Sequence, residues 1–335
     1  MHVRFLSFLF LGAAAWAHAE GPYQLDKEIP VSGEGGWDCL TVDAPAHRLY
    51  LTHGTSIVVI DTTTDTVVGE IRELSGVHDF ALAPKHGVGF ASNGRENKVC
   101  VIDLSSLETL SKVPTGLNPD IMLYDSGRDE VYAFNGRSKS ATVITARTGV
   151  VVATVVLGGK PEFAQADGSR VFVNVEDKNE VAVLDTKTHA IVNRWPIAPG
   201  AGATGMGIDH EHHRLFLGCG NAKLVVLDSQ DGHVVAVLPA GTGIDGAAFD
   251  PGTQLAFTPN GGDGTVTVVH EDAPDSFTVV QTLATARSAR TMALDPATHK
   301  LYLPCAKFEQ PKPGDTKRPK MIPGTLKVLV YALQG

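Results

Sequence analysis

The chain has 335 residues, 43% hydrophobic and 19% charged, with 37 acidic against 28 basic side chains. A net charge of −9 argues against a surface that coats phosphate, so nucleic acid is not the expected partner. The 35 glycines and 19 prolines are spread through the chain and read as turn punctuation rather than disorder.

The first segment is a processing signal. Arg4 supplies a positive start, Phe5 to Ala15 is apolar, and Ala17-His18-Ala19 is a small-x-small cleavage site. The apolar run is short for a bilayer, and no other stretch is long enough. Residues 1–19 are therefore expected to be removed, leaving a periplasmic or secreted protein with no membrane span after cleavage.

A spare β-rich run, Tyr23–Val31, comes next. Then a unit of about 41 residues recurs seven times, near residues 37–71, 78–113, 119–155, 161–195, 203–238, 244–283 and 289–333. The clearest copy has four runs: Trp37 to Asp43, Arg48 to His53, Ser56 to Thr62 and Thr66 to Ile71. Their β-branched and apolar content fits buried or half-buried strands, here lettered a to d in chain order. A four-strand unit cannot bury both faces alone, whereas seven arranged radially can. The expectation is an all-β fold over residues 20–335: a seven-bladed β-propeller of four-stranded antiparallel blades. The seventh unit has no strand d after Tyr331, so Tyr23–Val31 is expected to supply it and close the ring.

In a meander the connections alternate between two ends. The entry to strand a and the b–c loops share one face; the a–b and c–d turns share the other. The first face collects Asp38, Asp79, Asp120, Glu162, Thr204, Asp245 and Arg290 just before strand a, at spacings of 41 to 45. To these the ends of strand b add His53, Asn93, Asn135, Val175, Cys219, Asn260 and Cys305, and His78 sits beside Asp79. The carboxylate ring has two readings. An Asp before a strand caps backbone N–H groups of its turn; converging acids raise one another's pKa or hold a cation. No cofactor is required, but a divalent metal at Asp38, His53, His78 and Asp79 is an alternative. A proline-rich, basic insertion at 306–324 stands on the same face and is placed to cover part of an acidic mouth.

Cys39, Cys100, Cys219 and Cys305 fall on different blades and read as unpaired thiols; none forms a C-x-x-C. Cys219 or Cys305 as a nucleophile would need a base and a lowered pKa, and a small hydrophobe at a strand end is the expected role. On the opposite face, Asp209-His210-Glu211-His212-His213 forms an a–b turn. It is not H-E-x-x-H, and a tight turn splays its side chains, so a solvated turn is expected there, with metal binding by the string as the alternative. There is no G-x-S-x-G elbow, no Walker loop, no dinucleotide fingerprint and no C-x-x-C-H.

Pro119-Asp120, Pro161-Glu162, Asp167-Gly168, the V-x-V-I-D-like strands and the T-x-T-x-x-V-x-x-I-like run of Thr62–Ile71 resemble the YVTN-type, YncE-like repeat propellers of bacterial and archaeal envelopes. The likeness spans nearly the whole chain after residue 19. It implies the fold and an envelope location, and says little about function. The Y-V-T-N run itself is not present; Leu49-Tyr50-Leu51-Thr52 and Ala256-Phe257-Thr258-Pro259-Asn260 stand nearest to it.

The function expected is a monomeric, non-catalytic scaffold binding a small ligand, a cation or an envelope protein at the channel mouth. One alternative is a metal-dependent hydrolase of lactonase type, with Asn93, Asn135, Asn260, Asp38, His53 and Glu162 as its set. Nucleic-acid binding is a second alternative, disfavoured by charge.

Overall fold

A computed structural model describes residues 21–33, 35–310 and 319–334. The expected leader and the middle of the 306–324 insertion lie outside these residues. The described chain forms seven four-stranded antiparallel sheets. The first comprises Trp37–Asp43, Arg48–His53, Ser56–Asp61 and Thr66–Ile71, hydrogen-bonded in that order. Five more repeat this meander. The last orders Ala293–Asp295, Lys300–Cys305 and Lys327–Leu333, then adds Tyr23–Pro30 outermost. That outer strand runs from Tyr23 opposite Leu333 to Pro30 opposite Lys327, so the two ends of the chain close the ring. Among the described residues no helix is long and apolar enough to cross a membrane.

Strands b and c are buried on both faces because each blade is packed between two others. Their near-continuous apolar runs, such as Ser56–Asp61 (S-I-V-V-I-D), are the pattern expected for that environment. Strand d is the outer wall and is largely exposed, as at Thr109–Pro114. The core is therefore a ring of layers between blades. Leu49, Leu51 and Val58 of the first blade meet Tyr302, Val328 and Val330 of the seventh. Tyr132, Phe134 and Val143 of the third blade meet Val171, Val173 and Leu184 of the fourth. Emptying such a layer at Phe134 (to Ala) costs about 3–5 kcal/mol.

Strand a carries the feature that shapes the site. In the first blade Trp37 pairs with His53, then the register slips before Leu40 pairs with Leu51. The same bulge follows Val77, Pro119, Pro161 and Ala203. Blades six and seven keep only Ala248–Asp250 and Ala293–Asp295 as regular strand a, with Ile244 bridging Asn260 alone. A bulge adds a residue to one strand, bends it and re-aims the side chains beside it.

Candidate functional site

The residue directly after the first paired position of strand a points toward the axis. Register places Asp38, His78, Asp120, Glu162, Thr204 and Asp245 in that column, and Arg290 of blade seven lines the same cavity. This corrects one expectation: blade two presents His78, not Asp79, because Val77 pairs with Asn93 as Trp37 pairs with His53. One residue of slip turns a side chain to the other side of the strand. Asp79 is buried between blades two and three instead. Its Oδ1 accepts from the Phe80 N–H (2.8 Å) and its Oδ2 from the Met122 N–H (2.9 Å). Burial still pushes its carboxyl up to about 6, against the pull of those two donors. For Asp79 the structural reading of the acid ring is the right one.

Four of the seven mouth residues are fixed by a side chain of the blade before them. Thr52 Oγ1 donates to the His78 carbonyl (3.0 Å), and Ser92 Oγ to that of Asp120 (2.6 Å). Asn174 Nδ2 donates to the Thr204 carbonyl (2.9 Å), and Thr291 Oγ1 to that of Asp38 (2.6 Å). The column is thus held by backbone anchors that leave the acidic side chains free to face the channel.

There they line a cavity of about 450 Å³, bounded by Asp38, His78, Asp120, Lys160, Glu162, Asp245 and Arg290, with Ile121 and Phe163 as apolar wall. His78 Nδ1 lies 2.8 Å from Asp38 Oδ2 and 3.6 Å from Asp120 Oδ1. Arg290 Nε donates to Asp245 Oδ2 (2.8 Å); its Nη2 donates to Asp38 Oδ1 (3.1 Å) and the Trp37 carbonyl (3.3 Å). Its guanidinium carbon lies 5.8 Å from the centre of the Trp37 ring, within cation–π range. Lys160 Nζ lies 2.5 Å from Glu162 Oε1 and 2.6 Å from Glu176 Oε2.

Four channel-facing carboxylates therefore share two fixed cations and one imidazole. Burial pushes Glu162 up to about 8 despite Lys160, and Asp245 up to about 6 despite Arg290. Asp120 is raised by burial, which the His78 charge only partly offsets. Burial alone would lower His78, but its bond to Asp38 and the charge of Asp120 outweigh that and raise it. The mouth takes up protons in place of missing positive charge. An incoming cation would do the same work. For a metal ion the three atoms that converge are Asp38, His78 and Asp120, all within 4.8 Å of one another. One imidazole nitrogen and two carboxylate oxygens suit a divalent first-row ion.

Several expected members do not reach the cavity. Residues paired across an antiparallel strand point to the same side, so the ends of strand b follow Trp37 and its equivalents, away from the axis. His53 is buried, with Nε2 3.1 Å from the Gly35 carbonyl. Asn93 donates to Cys100 Sγ (3.1 Å) and Asn135 to Thr142 Oγ1 (3.0 Å). Asn260 shares hydrogen bonds with the Thr265 and Thr267 hydroxyls (3.0 Å each). Cys219 and Cys305 are buried, and burial pushes both thiols up to about 11, far from a nucleophile's range. Thr204 stands in the column but donates to the Ile244 carbonyl (3.1 Å). Of the lactonase-type set only Asp38 and Glu162 line the cavity. Of the four expected metal ligands only Asp38 and His78 do, and Asp120 joins them.

Lys160 was missed. Its position, two residues before the mouth column, reads Gly36, Gly76, Asn118, Lys160, Gly202, Gly243 and Ser288. The one charge in that series was the available signal. The described part of the 306–324 insertion forms a short two-stranded arm, with Glu309 N–H donating to the Lys320 carbonyl (2.8 Å). Phe308 at its base packs on Trp37 (5.9 Å between ring centres), beside the mouth rather than in it. At the opposite end, His210 and Glu211 are exposed as expected, but His212 turns inward toward two buried carboxylates.

This architecture defines the class: a seven-bladed β-propeller with WD40-like structural neighbours. No protein-family model matches the chain, and no curated protein does. Three similar solved structures illustrate the class. One, titled as a mitotic checkpoint complex, aligns with a TM-score of 0.77 at 12% identity and covers 100% of both chains. The RRP9 WD40 repeats align at 0.75 and 12%, covering 95% of this chain and 99% of that one. Hydrazine synthase of Kuenenia stuttgartiensis aligns at 0.70 and 14%, covering 87% and 95%. At these identities the likeness is one of fold.

Proposed function

We propose that this is an exported, non-catalytic propeller scaffold of the YVTN type that binds a small cation, or a cationic group of an envelope partner, at the mouth of its channel. The export part rests on the leader read in residues 1–19. The binding part rests on one observation: four carboxylates from four blades converge on a cavity of about 450 Å³ and outnumber its fixed cations. Asp120 is the ligand best placed to be tested, because its carboxylate carries no backbone or guanidinium bond among the described residues. Titration calorimetry with Mn²⁺ and with a small diamine should give binding that weakens at least tenfold in Asp120→Asn. Equal affinity in the variant sinks the proposal.

A metal-dependent hydrolase of lactonase type is the second reading. The Asp38–His78–Asp120 triad favours it, with Glu162 beside the same cavity, its carboxyl pushed up to about 8 by burial. It requires turnover of a lactone or ester that a chelator abolishes and added metal restores.

A further inference from the structure

The second cluster lies at the other end of the propeller. Asp209 closes strand a of the fifth blade, Ala203–Asp209, and its side chain is 1% exposed. Its Oδ1 accepts from the Glu211 N–H (2.9 Å), which folds the turn so that His212 comes back over it. Glu271 arrives from the sixth blade. Strand c there runs Thr265–Ala273, nine residues where the other blades have six or seven. The extra length carries Glu271 to the turn of blade five, where its side chain is also 1% exposed.

The three groups converge, and only Asp209 is satisfied: its Oδ2 also accepts from the His212 N–H (3.3 Å), whereas the His212 ring nitrogen and both Glu271 oxygens are not. His212 Nδ1 lies 2.8 Å from Asp209 Oδ2 and 3.2 Å from Glu271 Oε1. Yet neither approach is aligned as a hydrogen bond, and with both carboxyls ionised neither Glu271 oxygen has a donor; only a proton shared with Asp209 would supply one. The nearest guanidinium is spent elsewhere. Arg214 bonds Asp228 Oδ2 (2.6 Å), Asp275 Oδ1 (2.7 Å) and the carbonyls of Pro274 (2.7 Å) and His213 (3.1 Å). A buried carboxylate with no donor is costly, and a second beside it compounds the cost. The lone pairs of one imidazole nitrogen and two carboxylates pointed at a common place are what a cation requires. Their ligand atoms lie within 4.8 Å of one another.

We propose that Asp209, His212 and Glu271 bind a divalent first-row transition-metal ion, which ties blade five to blade six. A nitrogen donor in a three-ligand set selects Zn²⁺ or Mn²⁺ over Ca²⁺ and Mg²⁺, which prefer oxygen. Partial exposure of His212 leaves one side for water, and the site staples a junction instead of facing the channel. It is independent of the mouth.

Binding of Zn²⁺ to the Asp120→Asn protein, in which the mouth triad is disabled, is the test. Equilibrium dialysis should find one Zn²⁺ per chain that excess Ca²⁺ does not displace. Adding His212→Asn or Glu271→Gln should weaken it at least tenfold, and Zn²⁺ should raise the melting temperature of the parent but not of either double variant. His212 is at the surface, so its variant keeps the test alive if Glu271→Gln misfolds. The proposal is overturned if Asp120→Asn binds no Zn²⁺, or if both double variants bind as tightly as the parent. Failure of the mouth proposal would appear separately, as equal affinity for the diamine in wild type and Asp120→Asn.

Discussion

The propeller carries the same ligand chemistry at its two ends, one histidine between two carboxylates, in opposite surroundings. At the mouth the groups are half-buried and the protein supplies Arg290 and Lys160 nearby, so the acids are partly balanced within the chain. At the blade-five turn the acids are almost fully buried and Arg214 is committed to other partners. The first arrangement can tolerate an empty state and exchange its occupant. The second pays for emptiness with uncompensated charge, which suits a structural ion. Burial, more than residue type, separates a binding mouth from a staple.

Of the substitutions at the two ends, the largest expected effect is at the mouth. Arg290→Ala strips the bridge between Asp38 and Asp245 and should cost about 2 kcal/mol in urea unfolding at pH 7, toward the low end for buried pairs because the guanidinium is partly exposed. That cost should shrink at pH 5, where Asp245, with its carboxyl pushed up to about 6, takes up a proton. An unchanged cost across that range would show that Arg290 acts through packing on Trp37.

The next effect is pH dependence. Asp79 and Asp245 are raised to about 6, Glu271 to about 7 and Glu162 to about 8, from the ordinary carboxyl values of 3.8 for Asp and 4.5 for Glu. Each therefore holds more protons folded than unfolded between those values. Their stabilising contribution is full below about pH 4 and is lost as pH rises through 6 to 8. The melting temperature of metal-free protein should fall by several degrees from pH 5 to pH 8.5, and Glu162→Gln should flatten the upper part of the curve. A flat profile in wild type would mean the acids are solvated.

The two ends part company in a third measurement. Without metal, Glu271→Gln should be neutral or stabilising by about 1 kcal/mol at pH 8, since it removes an unpaired buried charge; Asp120→Asn at the open mouth should change stability by less. Thiol labelling gives a further check: Ellman's reagent should modify none of the four buried cysteines until the protein unfolds. Smallest of all, His86→Ala, which removes a rim pair with Asp129 at 2.8 Å, should cost under about 1 kcal/mol.

How far the sequence led can be judged residue by residue. The 41-residue period announced seven blades, and the alternation of connections put Asp38, Asp120, Glu162, Asp245 and Arg290 on one face. It failed where side-chain direction depended on a single residue. His78-Asp79 offers two polar candidates in a row, and only the pairing of Val77 with Asn93 decides which faces the axis. The ends of strand b share a face of the molecule with the mouth but not a side of the strand, so His53 and the three asparagines were placed at the right end and the wrong depth. His212 and Glu271 are 59 positions apart, and nothing short of the long blade-six hairpin joins them.

The outermost strand of the seventh blade, Tyr23–Pro30, has a temporal consequence. Of the described strands the ribosome makes that one first and its neighbour, Lys327–Leu333, last. Six blades can assemble from the chain between these two strands, but the ring must wait as an open horseshoe with two unpaired flanks until Lys327–Leu333 is available. Guarding that horseshoe is the burden that a chaperone for this chain would carry, and a permutant starting at Trp37, with Tyr23–Pro30 linked after Leu333, should lift it.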